Sequence, residues 1–202
     1  MEWLIHRGIP IEIHDEHQHP PLRCANERAV RFLLTLGADA NAADSLGYRA
    51  IHDASDLEII QPLVEAGADV NAISGGGSWP LLDACRSGDS ELATFLLENG
   101  AVPDLTSTGE TAMHTAVVSD SIACVNLLLD AGASINARDV DGWTCLWYAK
   151  SVGMARHLLE KGADPSLADM YGELPENHWL PLEVSRLFRE WRLSFAGLPP
   201  SP

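Results

Sequence analysis

The sequence predicts an all-α solenoid of stacked helix–turn–helix units, and three observations predict it. A glycine closes a leucine-rich phrase at Gly8, Gly37, Gly67, Gly100, Gly132 and Gly162, with steps of 29, 30, 33, 32 and 30 residues. A fixed period near 30 residues is the mark of a stacked-repeat protein. Before each glycine the leucines fall at helical spacing, as in "LATFLLENG" and "CVNLLLDAG". After each of the last five comes an extended stretch and a second glycine: Gly47, Gly77, Gly109, Gly142 and Gly172.

Each unit opens with a short helix that carries small residues, such as "LLDACRSG" or "AMHTAVVS". The leucine-rich second helix follows, and its glycine accepts the left-handed conformation that helix C-termini need. One such unit cannot bury its own apolar faces, whereas stacked neighbours can. Ala54, Ala84, Ala116 and Ala149 fall where helices approach closely, and Leu96, Leu97, Leu128, Leu129, Leu158 and Leu159 fill between layers. Along the chain this places one domain at 1–193, followed by a loose tail at 194–202. Residues 1–14 read as the second helix of a unit. They are either a minimal cap or the end of a unit that begins before Met1. Repeats follow at 15–43, 44–73, 74–105, 106–138 and 139–168, and a degenerate cap at 169–193. In the cap, Leu182, Leu187, Phe188 and Trp191 mark an amphipathic helix with Arg186, Arg189, Glu190 and Arg192 between them.

Three repeats are short by three or four residues between their helices, at "LRCANERAV", "IHDASDLEII" and "WYAKSVGMAR". Each still carries a helix-start residue, Asn26, Ser55 or Ser151, and Ser55 with Glu58 matches a capping box. The expectation is a shorter helix or a tighter turn at each place.

The phrases "GADANAADSLGYRAIHDA", "GADVNAISGGGSWPLLDA", "GASINARDVDGWTCLWYA" and "GADPSLADMYGELPENHW" resemble the ankyrin repeat, D-x-x-G-x-T-P-L-H-x-A-A followed by L-L-x-x-G-A-D-V-N-A. The resemblance runs from residue 1 to about 193, and the clipped repeats look like those of bacterial members. The T-P-L-H turn is spelled "PPLR", "RAIH", "WPLL", "TAMH" and "TCLW", so only Thr111 and His114 keep the Thr–His pair and His52 keeps the histidine alone. The other repeats must satisfy that turn differently.

Formal net charge is −16, and from Ser87 to Ala137 there are seven acids and no lysine or arginine. Such a surface repels phosphate backbones and excludes nucleic acid as a partner. No run of 18 apolar residues exists, so no membrane span is expected. The N-terminus lacks the basic region and apolar core of a signal peptide. Cys24, Cys85, Cys124 and Cys145 form no CxxC pair and read as reduced thiols of a cytoplasmic protein. No catalytic constellation stands out, so the reading is a non-enzyme without cofactor or metal. "SGGGSW" at 74–79 lacks the Lys-Ser/Thr of a phosphate loop. The imidazoles of "HDEHQH" at 14–19 read as an exposed loop with no second half of a metal site.

The ankyrin resemblance implies turn fingers and first helices lining a concave surface that binds a protein. On it fall the candidate partner-binding residues Glu16, Leu46, Tyr48, Asp53, Asp83, Glu110, Asp141, Trp143 and Tyr171, with Val140 and Met170 beside them. The rings of Trp143 and Tyr48 are expected to stand exposed, and those of Trp79 and Trp147 to pack inward. The arginines of "SRLFREWR" offer a second, basic surface or a solvated cap face. The expected function is that of a protein-interaction module, monomeric when free, whose acidic face binds a basic protein. A small acidic member of this kind is similar to immunity proteins that cover a toxin. The alternative is an adaptor, regulator or host-targeted effector.

Overall fold

The computed structural model describes residues 11, 14–16, 18–54 and 56–195. Most of the expected half-repeat at 1–14 lies outside the described residues, as do His17, Ser55 and the chain beyond 195. Among the described residues there are nine α-helices, three 3-10 helices and no strand. The chain divides into two compact units: residues 1–81 with 98–101, and residues 82–97 with 102–202.

The first unit contains a 3-10 helix at Pro21–Cys24, α1 (Glu27–Thr35), α2 (Ala50–Asp53) and α3 (Leu57–Glu65). α1 packs on α3, and α2 on the 3-10 helix. Leu22, Val30, Leu33, Ile51, Ile60, Leu63 and Trp79 are buried in it. α4 (Pro80–Ser87) and α5 (Ser90–Glu98) lie mostly in the second unit. That unit continues with α6 (Ala112–Val118), α7 (Ile122–Asp130), a 3-10 helix at Cys145–Tyr148 and α8 (Val152–Glu160). A 3-10 helix at Pro175–Asn177 and α9 (Leu182–Phe195) complete it. α6 packs on α7 and on the 3-10 helix 145–148, and α9 packs on α8 and on the 3-10 helix 175–177. No helix among the described residues is long and apolar enough to cross a membrane.

The shortened repeats lose their residues from the first helix. Where the repeat is full, that helix has eight residues in α4 and seven in α6. Each then turns through a positive-φ residue, Gly88 or Asp120. Where the repeat is clipped, the first helix is a four-residue element: Pro21–Cys24, α2 or Cys145–Tyr148. Its C-cap, Ala25, Ala54 or Ala149, is extended, and the next helix begins within three residues, at Glu27, Leu57 or Val152. Asn26 caps α1 by accepting from the Ala29 N–H, and Ser151 caps α8 by accepting from the Met154 N–H. At α3 the N-cap position is Asp56.

The second helices end alike. In α7 the Gly132 N–H donates to the Leu129 carbonyl and the Ala133 N–H to the Leu128 carbonyl, with Gly132 at φ 89°. This pairs the last orphan carbonyls of the helix. Where the extended stretch carries an asparagine, that side chain ties successive layers. Asn41 donates to the Gly67 carbonyl and accepts from the Asp69 N–H in the first unit. Asn136 does the same to Gly162 and Asp164 in the second.

The spelling of the first-helix turn decides how its polar atoms are met. The Thr111 hydroxyl lies 3.0 Å from His114 Nδ1, which also accepts from the Thr111 N–H at 3.1 Å. In the next repeat Trp147 stands where the histidine would be, and the buried Thr144 hydroxyl has no hydrogen-bond partner. Two isosteric changes should therefore act in opposite directions. Thr111→Val is expected to destabilise by about 1–2 kcal/mol, whereas Thr144→Val is expected to be neutral or stabilising by up to about 1 kcal/mol. Urea midpoints of the two variants, measured side by side, check this; equal losses would refute it.

Candidate functional site

The fingers are built on a carboxylate or hydroxyl that closes the tip from below. Asp44 Oδ1 accepts from the N–H groups of Leu46 and Tyr48, at 2.8 and 2.9 Å. Asp139 does so for Asp141 and Trp143, and Asp169 for Tyr171 and Glu173. Ser74 Oγ accepts from the Ser78 N–H in the same place. Desolvation opposes the charge on Asp44, but these two backbone donors and the Arg23 guanidinium outweigh it and hold the carboxyl below its usual range. For Asp169, too, desolvation is outweighed, here by the Glu173 and Tyr171 N–H groups. Each of these four tips is thus a hairpin held by its own side chain, which presents its outer residues without having to order them on binding.

The candidate residues divide between the units. In the first, Leu46 stands 66% exposed at a tip. Its carbonyl accepts from the Gly75 N–H of the next finger. Tyr48 is half-buried, which corrects the expectation of an exposed ring. Its face lies 5.0 Å from the Arg23 guanidinium and its edge meets His52, with ring centres 5.9 Å apart. Its hydroxyl rests where a side chain on Gly76 would be. Asp53 accepts from Arg23 Nε at 2.6 Å, and Arg23 also pairs with Asp44. Glu16 is exposed in the 14–19 loop, where Asp15 accepts from the His19 N–H.

In the second unit Asp83 and Glu110 flank Arg86, paired with the first and 3.9 Å from the second. Arg23 and Arg86 were missed as neutralising partners, because they are far from these acids along the chain or one helical turn away. Asp141 is exposed, and its carbonyl accepts from the Met170 N–H at 3.3 Å. Tyr171 is 82% exposed.

Trp143 is also half-buried, a second correction. It lies parallel to Trp147, ring centres 5.2 Å apart, and meets Tyr148 and His178 edge-on at 5.8 and 4.6 Å. Its indole N–H donates to Asp169 at 3.4 Å, and its carbonyl lies 3.3 Å from His114 Nε2. Offset and edge-on pairs satisfy the ring quadrupoles, so the ring is a platform more than a free anchor. Trp79 and Trp147 are buried, as expected. His114 accepts at Nδ1, which leaves Nε2 to carry its single proton toward the Trp143 carbonyl. Burial holds its pKa below the ordinary histidine value. Tyr148, whose hydroxyl donates to Asp139, is pushed up by burial and by that carboxylate.

The cap differs from expectation in two ways. Val184, Leu187 and Phe188 are buried, and Leu182 is 79% exposed. The inward stripe of α9 is counted from Val184, at i, i+3 and i+4, and Leu182 falls off it. Trp179, which sequence reasoning did not single out, is 97% exposed. The arginines are ion-paired: Arg192 and Arg189 with the buried Glu176, and Arg186 with Glu190. Cys85, Cys124 and Cys145 are free and buried, and burial pushes the Cys145 thiol up to about 12. Among the described residues no group of three or more His, Cys, Asp or Glu side chains could hold a metal ion.

The family model for ankyrin repeats (three copies) matches residues 49–139 and 81–169. The ankyrin repeat protein YahD of Escherichia coli K12 is 33% identical over 176 residues, 80% of this chain and 85% of that protein. Protein phosphatase 1 regulatory subunit 27 of Mus musculus is 40% identical over 101 residues, 48% of this chain and 66% of that protein. The crystal structure of the ankyrin repeat domain of Bcl-3, a member of the IkappaB family, superposes with a TM-score of 0.79 at 28% identity, covering 93% of this chain and 90% of that one.

Proposed function

The chain belongs to the ankyrin-repeat family, whose repeats are protein-interaction modules, and on that premise we propose that it binds a basic protein partner through its finger tips and first helices. The observation that carries the reading is the pairing of rigid tips with exposed apolar and acidic groups on them. Leu46, Asp141 and Tyr171 are presented by backbones already held by Asp44, Asp139 and Asp169. Glu16, Asp53, Asp83 and Glu110, with the open edges of Tyr48 and Trp143, extend the surface within each unit. A net charge of −16 supplies the field that draws in a basic partner.

Two finer forms follow. In one, the partner is a basic toxin whose active face is covered, as an immunity protein would do. In the other, the partner is a cellular protein that the chain regulates or recruits. The name of the phosphatase regulatory subunit, which this chain resembles over 101 residues, favours the second. In both, the chain acts in the cytoplasm, is monomeric until it meets its partner, and performs no catalysis.

The test is capture from the native source followed by association kinetics. The captured protein is expected to be basic, and its on-rate to fall at least about tenfold from low to physiological salt. An acidic partner, or an on-rate indifferent to salt, would overturn the reading. A toxin-like partner selects the first form and any other basic protein the second.

A further inference from the structure

We propose that Val140, Met170, Tyr171, Trp179 and Leu182 form the apolar anchor of the second unit, and that it receives an extended segment whose apolar or aromatic residue is flanked by lysine or arginine. The proposal rests on the interaction reading above and names the chemistry of the segment bound.

Each of the five side chains is more than half exposed. Exposed apolar residues scattered singly are ordinary, but a concentration on adjoining elements marks an interaction site. Val140 tops one finger, and Met170 and Tyr171 top the next. The two tips touch: the Met170 N–H donates to the Asp141 carbonyl, and a Cβ on Gly142 would lie 3.1 Å from the Met170 nitrogen. The corresponding tip residues of the two middle fingers are Gly75 and Gly76, and Ser107 and Thr108.

The cap turn adds Trp179. His178 is held against Trp143 and Trp147, with ring centres 4.6 and 5.2 Å away. Asn177 Nδ2 donates to Glu173 at the base of the last finger. With its neighbour fixed inward on the aromatic platform, Trp179 is left standing in solvent. A tryptophan in that setting is the kind of side chain that dominates binding energy when a partner covers it.

Charge decides what covers it. Asp141, Glu173 and Glu183 are exposed beside these residues. The cations nearby are Arg138, whose guanidinium is held down by the Gly142 and Ala168 carbonyls, and Arg186, which is paired with Glu190, so acids remain in excess. An anionic lipid surface or an acidic peptide would meet like charge, as would a second copy of this chain. A basic segment with an apolar centre meets both features.

Short fluorescein-labelled peptides test this on the full chain. In the first a Leu-Phe pair is flanked by lysines and arginines, in the second the pair is Ser-Gly, and in the third the flanks are glutamates. The first is expected to bind at least about tenfold more tightly than the others. Trp179→Ser with Tyr171→Ser should weaken it at least about tenfold, with circular dichroism and melting unchanged, while Ile122→Ser, at an exposed apolar position of a second helix outside the proposed surface, leaves it as it was. Equal binding of the two basic peptides, or an unaffected Trp179/Tyr171 variant, removes the anchor but leaves the basic-partner reading standing. Preference for the acidic peptide removes both. A dimer in sedimentation that Trp179→Ser dissolves would assign the surface to a second copy and overturn the proposal.

Discussion

Replacing Trp147 by alanine is expected to destabilise the second unit by about 3–5 kcal/mol, the range for truncating a buried tryptophan. The ring is buried and parallel to Trp143, and His178 meets it edge-on at 5.2 Å. Its removal opens a cavity directly beneath Trp143, whose other supports are the edges of Tyr148 and His178 and one long bond to Asp169. His178 loses one of the two rings that hold it, so the loss extends to the cap turn. Urea denaturation followed by far-UV circular dichroism gives the total. Hydrogen exchange should show the amides of 143–148 and 175–180 losing protection together. A loss below about 1 kcal/mol would mean that the two indoles do not pack as described.

Trp147 also shows where sequence reasoning held and where it stopped. The glycine ladder and the leucine spacing are local signals, and they located the second helices and their C-caps. Asn26 and Ser151 were legible as caps because capping is settled within three residues. The clipped repeats were legible as short, though that the first helix bears the whole loss depends on how Ala25, Ala54 and Ala149 run on into the next helix. An indole inside a turn motif could be placed inward, because that turn faces the layer beneath.

The finger residues could not be placed the same way. Whether Tyr48 stands free depends on what lies in the next repeat, and there Gly76 offers it a seat. Whether Trp143 stands free depends on Trp147 lying flat beneath it. Nor does any spacing rule reveal the partners of the acids, since Arg23 reaches Asp44 and Asp53 across the repeat. Trp179 carried no periodic signal, since its exposure follows from His178 being fixed inward.

The glycine run at 75–77 leads to the second large effect. Gly75→Ala is expected to cost the first unit about 2–4 kcal/mol, from overpacking against backbone together with a lost hydrogen bond. A Cβ there would lie 2.1 Å from the Leu46 carbonyl oxygen and 3.1 Å from its carbon. The oxygen cannot retreat cheaply, because the Gly75 N–H donates to it at 2.8 Å and Asp44 holds the Leu46 N–H. At Gly76 the obstacle is only the hydroxyl end of Tyr48, which a side-chain rotation can move, so Gly76→Ala should cost markedly less. The order of the two urea midpoints is therefore the measurement. If the glycines were there to cradle an anion, both substitutions would be nearly neutral in the free protein. If they are there because one finger rests on the next, Gly75→Ala alone brings a large loss, and the Leu46 tip, an exposed part of the proposed surface, loosens with it.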